Sequence, residues 1–180
     1  MLNRIPKDVD YYRFTDARKS IQGEILLKHC HRLMDSIILD ENAKTLSIKV
    51  DLDFGIDDFG HRFMSGKIST NVDLECQRCM QPMALPIDLD IAIAVIRDGD
   101  DEAEDAINGI YEPYFIADKT EPFPLFEYIE DELLLALPLI AKHEKDCVKL
   151  SDYNDNIEEE FEQQLEQKVN PFEVLKHLKN

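Results

Sequence analysis

The residues with most to offer chemically are Cys76 and Cys79. Two thiols spaced by two residues, with strand-like sequence on both sides, sit at a turn and point the same way. That is the geometry of half a tetrahedral zinc site. A second half is present in His143 and Cys147, four apart in His143-Glu144-Lys145-Asp146-Cys147, so the four together make a candidate Cys₃His shell. A thioredoxin-like redox pair is disfavoured, because it opens a helix after a strand and no helical pattern follows Cys79. Cysteines are also common as small buried residues, and spacing alone leaves that reading open beside zinc. Other chemistry is sparse. The five histidines form no H-x-x-x-H pair, and six glycines give little material for a phosphate loop. No nucleophile-and-base arrangement is legible, since such partners meet only in the fold. Acid clusters such as Glu130-Asp131-Glu132 are expected as helix-dipole partners and solvated surface. They could in principle hold magnesium for a nuclease, but no spacing supports it.

Charge narrows the partners. The chain has 180 residues and a formal net charge of −18. A chain this acidic repels phosphate backbones and anionic membrane surfaces at long range; a basic protein is the charge-matched partner. The acid is unevenly placed. Residues 98–132 carry thirteen acidic groups against one basic, and residues 144–166 carry nine against two, whereas residues 1–37 carry seven basic against five acidic. In that first segment Arg13, Arg18 and Lys19 interleave with Tyr11, Tyr12 and Phe14, a pattern that could contact RNA through phosphates and stacking, or be an ordinary entry segment. No apolar run approaches the roughly 20 residues of a membrane span. The N-terminus has no apolar secretory region, and the cysteine usage suits a reducing compartment. A cytoplasmic protein is expected.

The elements that must position these residues follow from periodicity. In 45–54, Leu46, Ile48, Val50, Leu52 and Phe54 alternate with polar residues, a strand with one buried face. Residues 55–60 read as a turn. A second strand carries Ile68, Thr70, Val72 and Leu74, with Gly66 marking a bulge or break. A third runs from Leu85 to about Ile96, where Ala92, Ala94 and Ile96 make the second face partly apolar, so that something is expected to cover it. The cysteine pair lies between the second and third. A short strand is expected over 20–26 after an extended entry, a short helix over 28–38, an exposed acidic loop over 98–105 and an edge strand over 110–116. The strongest helix spans 125–137, with Phe126, Ile129, Leu133 and Leu137 on one face and Pro138 ending it. Polarity dominates 151–167, read as a linker. Asn170 as N-cap and Pro171 at N1 then open a short amphipathic helix with Phe172, Leu175 and Leu178.

Three blocks in order, Glu75-Cys76-Gln77-Arg78-Cys79, then Glu130-Asp131-Glu132 leading to Pro138 and on to His143 and Cys147, then Asn170-Pro171-Phe172, make the chain resemble the YceD family of large ribosomal RNA subunit accumulation proteins. The resemblance covers nearly the whole chain. It implies a role in synthesis, processing or stability of 23S ribosomal RNA and does not imply an enzymatic activity. Branches of the family richer in cysteine after the Leu-Pro element strengthen the zinc reading. The expected architecture is α+β: an antiparallel meander packed against the 125–137 helix and the shorter N-terminal one. A single domain over 1–150 is expected, with an acidic linker over 151–169 and a terminal helix over 170–180. The expected function is a non-enzymatic biogenesis factor whose acidic surface contacts a basic ribosomal protein or assembly intermediate. Direct rRNA binding through Arg13, Arg18 and Lys19 is the alternative.

Overall fold

The computed structural model describes residues 5–39, 46–107, 109–118 and 120–147. The expected linker over 151–169 and the helix over 170–180 lie outside the described residues. Five strands form one sheet in chain order: β1 (Ser20–Leu26), β2 (Ser47–Ile56), β3 (Arg62–Glu75), β4 (Pro82–Arg97) and β5 (Glu112–Ile116). Helices α1 (Tyr11–Asp16), α2 (His31–Met34), α3 (Asp101–Ile107) and α4 (Leu125–Leu135) surround it. The α+β architecture is as the periodicity indicates. The meander is antiparallel from β1 to β4, while β5 joins β4 in parallel at the edge. The acidic turn-and-helix between β4 and β5 supplies the crossover a parallel pair requires.

Alternation sets which face is buried. Ile48, Val50, Leu52 and Phe54 of β2 are buried while Lys49, Asp51 and Asp53 are exposed. On the buried face the β-sheet side chains meet Leu125, Ile129 and Leu133 of α4, together with Leu33 and Phe123. Gly66 fits the crowded β2–β3 pairing because it has no Cβ: its φ is +153°, and a Cβ there would run into the Asp51 carbonyl.

Four local expectations change. The entry is not extended throughout. The Asp10 carboxylate accepts the Arg13 N–H at 2.9 Å and caps α1. The 28–38 helix shortens to His31–Met34 behind a 3₁₀ turn at Leu27–His29, because the chain then leaves toward the sheet, where the Ile38 N–H pairs with the Asp73 carbonyl at 2.7 Å. Residues 98–105 are not simply an exposed loop. From Asp101 they are helical, and Asp100 accepts the Ala103 N–H at 3.2 Å. Ala103 and Ile107, four apart, pack with Tyr111 on Ala94 and Ile96. This is the cover that the second apolar face of β4 calls for. Finally, α4 ends at Leu135, two residues early, with its last turn closed by the Ala136 N–H on the Glu132 carbonyl at 3.1 Å.

Candidate metal centre

The turn between the longest two strands, β3 and β4, is built around Cys76. The last ladder pair is Glu75 with Pro82, leaving six residues to reverse the chain. The Cys76 N–H donates to the Gln81 carbonyl at 3.0 Å and the Met80 N–H to the Cys76 carbonyl at 2.8 Å. Met80 takes a left-handed conformation, φ 56°, to close the turn. Cys76 is thereby buried and Cys79 half-buried, while Gln77 and Arg78 project to solvent.

The chain after α4 returns to this turn. Pro138 prevents α4 from continuing, and Ala141, itself buried, accepts the Gln77 N–H at 2.8 Å. Two residues later comes His143. One ligand atom from each of Cys76, Cys79, His143 and Cys147 lies within 4.8 Å of the others. Ligands about 2.3 Å from a zinc ion in a tetrahedral shell stand roughly 3.8 Å apart, so these four residues could hold a metal ion. Three sulfurs and an imidazole select a soft or borderline ion over magnesium or calcium.

The remaining cysteine does not join them. Cys30 is buried in the main core, where burial first, then the Glu130 carboxylate, pushes its thiol up to about 11, a state that makes it a poor nucleophile. Of the acid cluster, Asp131 is exposed and Glu132 half-exposed, but Glu130 is buried. The Glu130 carboxylate accepts the Leu33 N–H at 3.1 Å and both Nε and Nη2 of Arg32, at 3.2 and 3.1 Å. Glu130 therefore ties α2 to α4, a role invisible in three consecutive acids.

The N-terminal cations are not part of this Cys/His group. Arg13 and Arg18 are exposed, and the Lys19 ammonium lies 4.2 Å from the Phe14 ring centroid. The rings beside them are committed. Tyr11 is buried, donates its hydroxyl to the Arg62 carbonyl at 2.7 Å and packs on Phe54 and Phe123. Phe14 packs edge-on against Phe54, and Arg62 lies over Tyr12.

A constellation that spacing does not reveal sits on the β2–β3 turn. The Asp57 carboxylate accepts the N–H groups of Phe59 and His61 and the hydroxyl of Tyr111, which lies 54 residues away in sequence. Only the turn signal of residues 55–60 pointed to it.

Comparison with known proteins places the chain in a family. A family model described as large ribosomal RNA subunit accumulation protein YceD matches residues 64–179. The chain is similar to the large ribosomal RNA subunit accumulation protein YceD of Haemophilus influenzae, 31% identical over 178 residues, covering 98% of this chain and 97% of that protein. No solved structure matches.

Proposed function

The chain belongs to the YceD family, and from that premise we propose that it is a non-enzymatic factor supporting 23S ribosomal RNA, acting in the cytoplasm by holding basic large-subunit proteins on its acidic surface. The observation that carries this reading is the placement of charge: thirteen acidic groups against one basic in residues 98–132. Ribosomal proteins are basic because they neutralise phosphate, and a surface of this sign competes with RNA for them until assembly releases them. Among the described residues no helix is long and apolar enough to cross a membrane.

Zinc fits the same reading. Cys76, Cys79, His143 and Cys147 would hold it with all four positions filled by protein, the mark of a structural rather than a catalytic zinc site. A bound ion would supply structural cross-linking among these four side chains and no catalytic chemistry. The residues themselves contribute the turn closed by Met80 and the Gln77–Ala141 hydrogen bond.

The test is recovery of partners from cells on the untagged full chain at low salt. Basic large-subunit proteins should be enriched and should be released as salt shortens the reach of exposed charge to below about 8 Å. Recovery of none sinks the reading. Elemental analysis of the same preparation should give near-stoichiometric zinc; its absence removes the metal assignment alone. Direct contact with rRNA is the second reading, favoured by the exposure of Arg13 and Arg18 and weakened by the burial of Tyr11. Filter binding of 23S fragments that fell on alanine replacement of Arg13, Arg18 and Lys19 would restore it.

A further inference from the structure

The β2–β3 turn carries a surface that the metal centre leaves unused. Asp57 braces its backbone with hydrogen bonds. Its Oδ1 accepts the N–H of Phe59 at 2.9 Å and of His61 at 2.8 Å. Its Oδ2 lies 3.0 Å from His61 Nδ1 and accepts the Tyr111 hydroxyl at 3.3 Å. Tyr111 is in turn stacked on Phe63, with centroids 5.6 Å apart. On this braced turn Phe59 stands 81% exposed, its ring stacked with His61 at 6.0 Å. A solvated phenylalanine needs no functional explanation by itself. One held on a hydrogen-bonded turn loses little freedom on binding, which is what an interface anchor requires.

The next two residues of the turn, Gly60 and His61, line a cleft of about 250 Å³ that reaches α3, with Arg62, Arg97, Asp100 and Ala103 among its other walls. The charge around it identifies the occupant. Residues 98–105 contain six acidic residues and no basic one, and Glu102 and Glu104 on α3 are exposed. The cations of the cleft do not offset this. Arg62 is engaged by Asp16 and by the Thr15 hydroxyl, each at 2.7 Å, which leaves Arg97 against the row of carboxylates.

We propose that Phe59 and this cleft form a docking surface for a Lys/Arg-rich segment of a large-subunit protein. The partner's cationic side chains face the carboxylates of α3. An arginine or the stem of a lysine lies on the Phe59–His61 rings, where cation–π attraction adds to packing. A nucleic-acid strand could stack a base on Phe59, but its phosphates would then meet the exposed carboxylates of Glu102 and Glu104 on the neighbouring helix. The inference rests on the proposed function and narrows it to one place on the molecule.

Two measurements on the full chain separate the surface from that function. In the first, ¹⁵N-labelled protein is titrated with a synthetic twelve-residue peptide of arginines and lysines spaced by glycine. Amide shifts should centre on Gly60, His61 and Ala103. Phe59→Ala, a change at an exposed position, should weaken binding about tenfold, and the double variant Glu102→Gln with Glu104→Gln should reduce its salt dependence. Shifts centred elsewhere, or unchanged affinity of Phe59→Ala, overturn the proposal. In the second, RNA-free large-subunit proteins are captured by wild type and by Phe59→Ala. Equal capture by both overturns the docking surface and leaves the function standing; capture by neither removes both. A dodecamer of uridine that bound in a Phe59-dependent way would assign the surface to RNA and likewise overturn the proposal.

Discussion

At the scale of single residues, three adjacent acids have three different energetics. Glu130 is buried and holds the Leu33 N–H, a donor with no solvent to turn to. Asp131 is exposed and pairs with Arg32, itself half-exposed. Glu130→Ala should therefore cost about 2 kcal/mol in urea unfolding, the penalty of a stranded buried donor. Asp131→Ala should stay within about 1 kcal/mol, because exposed pairs are worth little. Equal losses would mean that the Arg32 ion pair, and not the buried N–H, carries the tie. Glu132 behaves oppositely. Burial, then the neighbouring Glu112 and Asp131, raise its pKa above the ordinary carboxylate value, with the Tyr128 hydroxyl working the other way. The folded chain thus binds a proton more readily at this site than the unfolded chain does. Its contribution to stability rises as pH falls through the raised value and is a cost at pH 7. Glu132→Gln should gain about a few tenths of a kcal/mol at pH 7, after solvent screening. That gain should fade in melts below about pH 4, where the wild-type carboxyl is protonated in both states.

At the scale of elements, what was legible depended on whether an element's own residues repeat. β2 and most of β3 alternate, β4 does so until Ile93, and α4 carries Phe126, Ile129 and Leu133 at steps of three and four, so each declares its buried face locally. α3 does not. Among its described side chains Ala103 and Ile107 pack, and the reason they pack is the apolar outer face of β4 at Ala94 and Ile96, a partner several residues back. α1 was hidden because its aromatic residues suit a strand as well as a helix, and Asp10 decides between them only once it caps. The two halves of the candidate metal site were legible as patterns, but the return of the chain after Pro138, where the Ala141 carbonyl accepts the Gln77 N–H, was not. The candidate site gives a prediction. A metal ion present at 100 times its dissociation constant adds about 2.7 kcal/mol to the folded state. A chelator that removes zinc from wild type should lower the melting temperature. It should leave Cys76→Ser, already unable to complete the shell, almost unmoved. In amide spectra the change should be largest at Gln77 and Met80, in the turn. An equal chelator effect on both proteins would show that the stabilising metal sits elsewhere.

At the scale of the whole molecule, the opposing responses of fold and partner to salt separate the two. A net charge of −18 repels itself, which destabilises the compact state. Apart from Arg32 with the buried Glu130, the lysine and arginine ion pairs seen among the described residues are largely exposed: Arg32 with Asp131, Lys67 with Asp90, Arg62 with Asp16. Each such pair contributes at most about 1 kcal/mol, and screening removes little when it weakens them. Repulsion among the acids of residues 98–132 is summed over many more pairs of like sign, so screening that repulsion should win. Raising sodium chloride from about 50 to 500 mM, which shortens the Debye length from above 10 Å toward roughly 4 Å, should therefore raise the melting temperature. The same change should release basic large-subunit proteins from the acidic surface, because that attraction acts over the distances that salt screens. Melts and capture measured in the same buffers would then move in opposite directions, and loss of capture could not be attributed to unfolding. A melting temperature that fell together with capture would mean that attractive pairs, not repulsion among the acids, dominate the electrostatics of the fold.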